Sequence, residues 1–170
     1  ILLPLVLLVV FCAPIRVHAQ LKEPPQAFTI ARLKYSGGGD WYNGPTEIPN
    51  LLAFLQKETT VRTAREEAHV EILDENLFSY PVLYLTGHGN IRLTEEEVRR
   101  LRTYLENGGF LFANDDYGLD NAFRREIERV FPDKKLSELP PSFGIFHNPF
   151  SFPNGLPKIH EHNGDPPRAY

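Results

Sequence analysis

The chain of 170 residues has no methionine and a single cysteine, Cys12, inside its first nineteen residues. Beyond that stretch there is no thiol, which excludes a disulfide framework, a zinc–thiolate site and a cysteine nucleophile from the body of the protein. Basic side chains are outnumbered by acidic ones, 18 against 22, for a formal net charge of −4. Nucleic acid is held by a concentrated positive field, so it is excluded as a general partner. Tryptophan occurs once, and there is no internal repeat or low-complexity tract. Proline is plentiful, at 15 residues, in a composition that is otherwise ordinary for a globular protein. The length suits one compact domain with a proper core.

The two ends differ from the middle. Residues Ile1 to Phe11 are apolar apart from Pro4, and Ala13, Pro14, Val17, His18 and Ala19 then lead to Gln20. An apolar core followed by small residues reads as a secretory signal peptide over residues 1–19, with cleavage after Ala19. The alternative is an uncleaved anchor helix, which would be the chain's only contact with a membrane; the apolar run is short for a span. Phe11 before Cys12 does not suit a lipoprotein, which needs a small residue there. The expected location is exported, periplasmic or extracytoplasmic. Residues 20–27, with Pro24-Pro25, read as an extended leader. Residues 28–170 read as a single α/β domain, expected to be incomplete at its C-terminus because Pro166-Pro167-Arg168-Ala169-Tyr170 carries no stop signal.

Between the ends, strand and helix signals alternate. Apolar positions of period two make Phe28 to Tyr35 a strand, which runs into the glycine-rich segment Ser36 to Gly44. A helix is expected from about Pro49, with Leu51, Leu52, Phe54 and Leu55 on one face, and His69 to Leu73 reads as a second strand. Val82 to Thr86 is an unbroken apolar run, as in a strand covered on both faces, and empties into Gly87-His88-Gly89-Asn90. Thr94 and Glu97 have capping-box spacing; Val98, Leu101, Tyr104 and Leu105 keep the helical period until Gly108-Gly109. Phe110 to Ala113 reads as another buried strand, emptying into Asn114-Asp115-Asp116-Tyr117-Gly118. Asp120 is expected to cap a helix carrying Phe123, Ile127, Val130 and Phe131, ended by Pro132. Later, prolines multiply and only a short strand at Gly144 to Phe146 is expected. The alternation predicts a parallel sheet with helices on both faces, joined by right-handed crossovers.

In such sheets ligands bind beyond the carboxyl ends of the strands. The loops there bring together Gly38, Gly39, Asp40, Trp41 and Tyr42; His88 and Asn90; and Asn114, Asp115, Asp116 and Tyr117. Each has two readings. The glycines lack the lysine and serine or threonine of a phosphate loop, and make tight turns as readily. Trp41 and Tyr42 are suited to stacking on a sugar or base, or to covering the sheet edge. Asp115 and Asp116 are candidate acid, base or metal ligands, or turn and helix caps. His88, between two glycines, is a candidate acid/base or a histidine bonded to a neighbouring loop. His147, His160 and His162 offer the donor chemistry of a divalent metal site, although no spacing joins them to His88, and a metal cofactor is not favoured. No serine or cysteine sits in a nucleophile elbow.

Arg32-Leu33-Lys34-Tyr35-Ser36-Gly37-Gly38-Gly39-Asp40-Trp41-Tyr42, Tyr84-Leu85-Thr86-Gly87-His88-Gly89, Asn107-Gly108-Gly109-Phe110-Leu111, Phe123-Arg124-Arg125 with Val130-Phe131-Pro132, and Phe152 to His162 occur in this order. Together they resemble the bacterial family called domain of unknown function 4159. The resemblance implies an α/β, flavodoxin-like three-layer sandwich with a mostly parallel central sheet, of the class I glutamine amidotransferase-like kind, in proteins that are exported or membrane-associated. Relatives of that fold use a cysteine nucleophile where this chain has His88, so amidotransfer is not implied. Two functions follow as expectations. One is a cell-envelope binding or assembly module holding a small polar ligand or a protein partner. The other is a hydrolase-like enzyme, metal-assisted or not, acting on a carbohydrate or small polar substrate, with His88 as acid/base and Asp40, Asp115 or Asp116 supporting it. A purely structural envelope protein is the third possibility.

Overall fold

Four short strands pair side by side in one sheet, each satisfying backbone groups through its neighbours. The computed structural model describes residues 27–157, 164 and 166–170. The expected signal peptide, the leader up to residue 26, and His160 and His162 lie outside the described residues. The strands are β1 (Ala31–Lys34), β2 (Ala68–Glu71), β3 (Val82–His88) and β4 (Phe110–Tyr117), in the order β2-β1-β3-β4. Every pairing is parallel. This is the order of doubly wound flavodoxin-like sheets, whose winding reverses between β1 and β3.

The helices α1 (Glu47–Glu58), α2 (Glu95–Glu106) and α3 (Asp120–Val130) make the outer layers. On α1, Ile48 and Leu52 bury against Ile30 and Tyr84 on one face of the sheet. Val98, Leu101 and Tyr104 of α2, with Ala122 and Val130 of α3, bury against Ala31, Leu33, Val70, Leu83 and Leu85 on the other. Burying side chains of this size contributes roughly 1.5–3 kcal/mol each, so the two apolar faces supply most of the favourable free energy. The α2 capping box forms as expected: the Thr94 hydroxyl accepts from the Glu97 amide, and the Glu97 carboxylate accepts from the Thr94 amide.

Several expectations change. Helix α1 starts at Glu47, and Pro49 lies within its first turn, where the missing amide costs no helical bond. Strand β2 spans residues 68–71 rather than 69–73. The segment Gly144–Phe146 is a 3-10 turn, not a strand. Strand β3 continues through His88, and β4 through Asn114, Asp115, Asp116 and Tyr117, so these residues lie on strands rather than in loops. Nor is β4 covered on both faces. It stands at the sheet edge, where Leu111 and Ala113 pack inward while Phe110 and Phe112 are 54% and 53% exposed. An apolar run does not by itself distinguish a central strand from an edge strand.

Asp120 does not cap α3 but is its first residue. The cap comes from the strand: the Asp115 carboxylate accepts the Leu119 amide at 2.8 Å and the Asp120 amide at 3.1 Å. Asp115→Ala is therefore expected to lower stability by about 1 kcal/mol, in the usual range for a lost helix cap. Asp120→Ala, which loses only the exposed pair with Arg124, is expected to cost less than about 0.5 kcal/mol. Urea unfolding of both variants checks this, and a larger loss at Asp120 would contradict the assignment.

Candidate functional site at the β1–β3 switch point

The crevice of a doubly wound sheet opens where its winding reverses, beyond the carboxyl ends of the two strands on either side. Here those strands are β1, which leads to Asp40, and β3, which ends at His88. The two segments interlock. The Gly39 amide donates to the Asn90 carbonyl at 2.8 Å, the Arg92 amide donates to the Ser36 carbonyl at 2.8 Å, and Asn90 Nδ2 donates to the Gly37 carbonyl at 2.9 Å. So close an approach leaves no room for side chains: a Cβ on Gly39 would stand 2.8 Å from the carbonyl oxygens of both His88 and Asn90. Gly87 has a φ of +140°, and a Cβ there would collide with the Tyr35 hydroxyl.

Across this seam the Asp40 carboxylate accepts the His88 backbone amide and faces ring Nδ1 at 3.0 Å. Partial burial acts to raise the Asp40 pKa, but the bonds from the His88 amide and imidazole outweigh it and hold the carboxyl below its usual range. An ionised carboxylate only accepts hydrogen bonds, so the ring donates to it from Nδ1. Beneath the pair, the Tyr35 hydroxyl donates to the Thr86 carbonyl at 2.9 Å. Burial and the nearby Asp40 and Asp116 carboxylates push its pKa up to about 12, so it stays a neutral donor.

Each side of the site has its own anchor. Arg32, only 1% exposed, points from β1 toward the α1 face. Its Nε donates to Glu67 at 2.8 Å; Nη1 donates to the carbonyls of Asn43 at 2.6 Å and Trp41 at 3.4 Å, and Nη2 to that of Gly44 at 2.9 Å. The guanidinium also lies 5.1 Å from the Tyr84 ring centroid. The residues just after Asp40 are thus held by a buried cation. On the other side, α3 grips the chain after His88. Arg125 donates to Asn90 Oδ1 at 3.0 Å and the Ile91 carbonyl at 2.6 Å, Arg129 donates to the Leu93 carbonyl at 2.8 Å, and Glu126 accepts the Leu93 amide at 3.2 Å. Burial opposes the charge on Glu126, but its bonds with Arg125, the Leu93 amide and Arg129 hold the carboxyl below its ordinary value.

The remaining candidates divide. Asp115 and Asp116 are adjacent on a strand and so point to opposite faces. Asp115 caps α3. Asp116 accepts from the Asn43 and Asn114 amides on the α1 side, where Asn114 also approaches the Thr86 and Tyr84 hydroxyls at 3.5 Å. The Tyr84 hydroxyl in turn donates to Glu47. Trp41 is half-buried, its ring centroid 5.5 Å from that of His69 and 5.6 Å from that of Tyr42. Tyr42 is 65% exposed. Asn90 staples the loops together, and Gly38 lies in the exposed part of the first. Tyr117 ends β4 in register with His88. His147 meets the Pro141 carbonyl at 2.9 Å, in the proline-rich region after α3. Among the described residues, no group of three or more His, Cys, Asp or Glu side chains is placed to hold a metal ion. Among them, too, no helix is long and apolar enough to cross a membrane.

Arg32, Glu67, Arg125 and Glu126 were not anticipated. A signal for Arg32 exists: a cation between Ala31 and Leu33, in a strand covered on both faces, must find buried acceptors.

Asp40 and Glu126 both have lowered pKa values in the folded chain. The stability they contribute is fully present above their ordinary values near 4 and is lost as pH falls through the lowered ones. Urea midpoints measured from pH 6 to pH 2.5 should fall steeply below about 4, and the fall should be shallower in the Asp40→Asn, Glu126→Gln double variant. An identical acid limb in that variant would contradict the assignment.

No curated protein matches the sequence. Residues 29–170, which carry the whole sheet and both interlocking segments, match the family described as Domain of unknown function (DUF4159), and the chain belongs to that family.

Proposed function

We propose that the protein is an exported binding or assembly module of the cell envelope that holds a small polar ligand, or a polar segment of an envelope partner, at Asp40 and His88. The observation that carries this reading is the preorganised Asp40–His88 pair at the β1–β3 switch point, where folds of this winding bind ligands. A carboxylate and an imidazole on rigid supports, rather than on free loop tips, present fixed donors and acceptors with little ordering entropy left to lose. Export rests on the apolar stretch of residues 1–19 followed by small residues.

A second reading has its own support. An imidazole oriented by a carboxylate at Nδ1 is the base-and-orienter half of a hydrolytic triad. A hydrolase-like activity on a carbohydrate or small polar substrate would use His88 as acid/base. The binding reading is preferred because the other carboxylates of the edge have structural partners: Asp115 caps α3 and Asp116 bonds Asn43 and Asn114. Among the described residues, neither Asp115 nor Asp116 is thus left over as a second acid for the pair.

A thermal-shift panel of sugars, nucleotides and divalent metal ions tests both readings. A ligand at about 100 times its Kd should stabilise by about 2.7 kcal/mol, and so raise the melting temperature by several degrees. In His88→Ala the fold should persist and that shift should vanish, along with any turnover found. A panel without a hit, or a shift unchanged by His88→Ala, would count against the site.

A further inference from the structure

We infer that the ligand is a neutral saccharide seated on an aromatic ledge formed by Trp41 and Tyr42; this deepens the proposed function and rests on it. The ledge follows Asp40 directly in the chain. Trp41 and Tyr42 meet edge to face, with their planes at 86°, so the two rings form a corner rather than a stack. Tyr42 is largely exposed, while the Trp41 backbone is fixed through its carbonyl by Arg32. Rigid aromatic surface of this kind supports the C–H face of a sugar ring at little entropic cost.

Charge identifies the ligand class further. Beside the ledge, Lys34 lies 5.5 Å from the Trp41 ring centroid and 3.7 Å from Glu71. Arg32 is paired with Glu67, and Glu67 also meets His69 at 3.0 Å. The Asp40 carboxylate is hydrogen-bonded by the His88 amide and ring. Among the described residues, both cations beside the ledge are paired with carboxylates, while Asp40 and Asp116 add negative charge nearby, so the local field does not reward a phosphate or a carboxylate. What remains is exposed donor and acceptor capacity on Lys34, His69 and Glu71 beside apolar ring surface. A ligand with many hydroxyls, an apolar ring face and no negative charge fits that combination, as a neutral saccharide does.

The chain's single tryptophan is Trp41, so selectively excited tryptophan emission reports on the ledge alone. Purified protein is titrated separately with cellotriose, maltotriose and the trimer of N-acetylglucosamine. At least one is expected to change the emission saturably, and Tyr42→Ala should weaken that binding about tenfold with an unchanged melting temperature. Tyr42 is exposed, so the variant tests recognition without disturbing the core. No saturable change with any of the three up to about 10 mM, a Kd at which binding free energy is below about 3 kcal/mol, overturns the inference. So does binding indifferent to Tyr42→Ala, or a neutral nucleoside that binds where the trisaccharides do not. A charged ligand with a His88-dependent thermal shift but no saccharide response overturns the saccharide while leaving the binding site standing. If no compound of either kind depends on His88, both fall.

Discussion

A guanidinium cannot be buried in a sheet without acceptors, and those Arg32 finds determine where the candidate site lies. It spends one nitrogen on Glu67 and two on backbone carbonyls of the segment after Asp40. Stripping one partner from a buried ion pair leaves an uncompensated charge and typically costs 3–5 kcal/mol, so the loop is held by the same interaction that makes the buried cation tolerable. Because the acceptors are carbonyls, the restraint acts on the backbone and does not depend on which side chains that loop carries. The exposed Tyr42 can therefore serve recognition without also holding the loop in place.

The opposite wall is built differently. There the residues after His88 are tied to α3 by two arginines and a buried carboxylate, and α3 is itself capped from the sheet by Asp115. One anchor comes from inside the sheet and the other from a covering helix, and they meet at a glycine-lined seam. Little freedom remains in the placement of Asp40 against His88. That rigidity is what a binding site needs in order to hold a small polar ligand with few contacts, and what a base needs in order to keep one ring nitrogen protonated.

How much of this was legible depended on how local the cause was. The capping box at Thr94 and Glu97 is closed within one turn, and spacing alone revealed it. The convergence of Asp40 and His88 was readable from a general rule about parallel sheets, because both residues follow strong strand signals. Strand ends were less visible: polar residues such as Asn114 and Asp115 look like loop in a sequence, yet they remain strand here because β3 keeps pairing beside them. That extension sends Asp115 and Asp116 to opposite faces and makes Asp115, not Asp120, the helix cap. The exposure of Phe110 and Phe112 follows from strand order, which hydropathy does not encode. Arg32 was overlooked for a similar reason, since its partners lie 9 to 35 residues away.

The central claim is that an ionised Asp40 fixes the proton of His88 on Nδ1. Long-range ¹⁵N–¹H correlation spectra of the imidazole, taken where the ring is neutral, measure that directly. The account predicts the Nδ1–H tautomer in the native protein and a loss of that preference in Asp40→Asn. A dominant Nε2–H tautomer in the native protein, or one indifferent to the substitution, would contradict it.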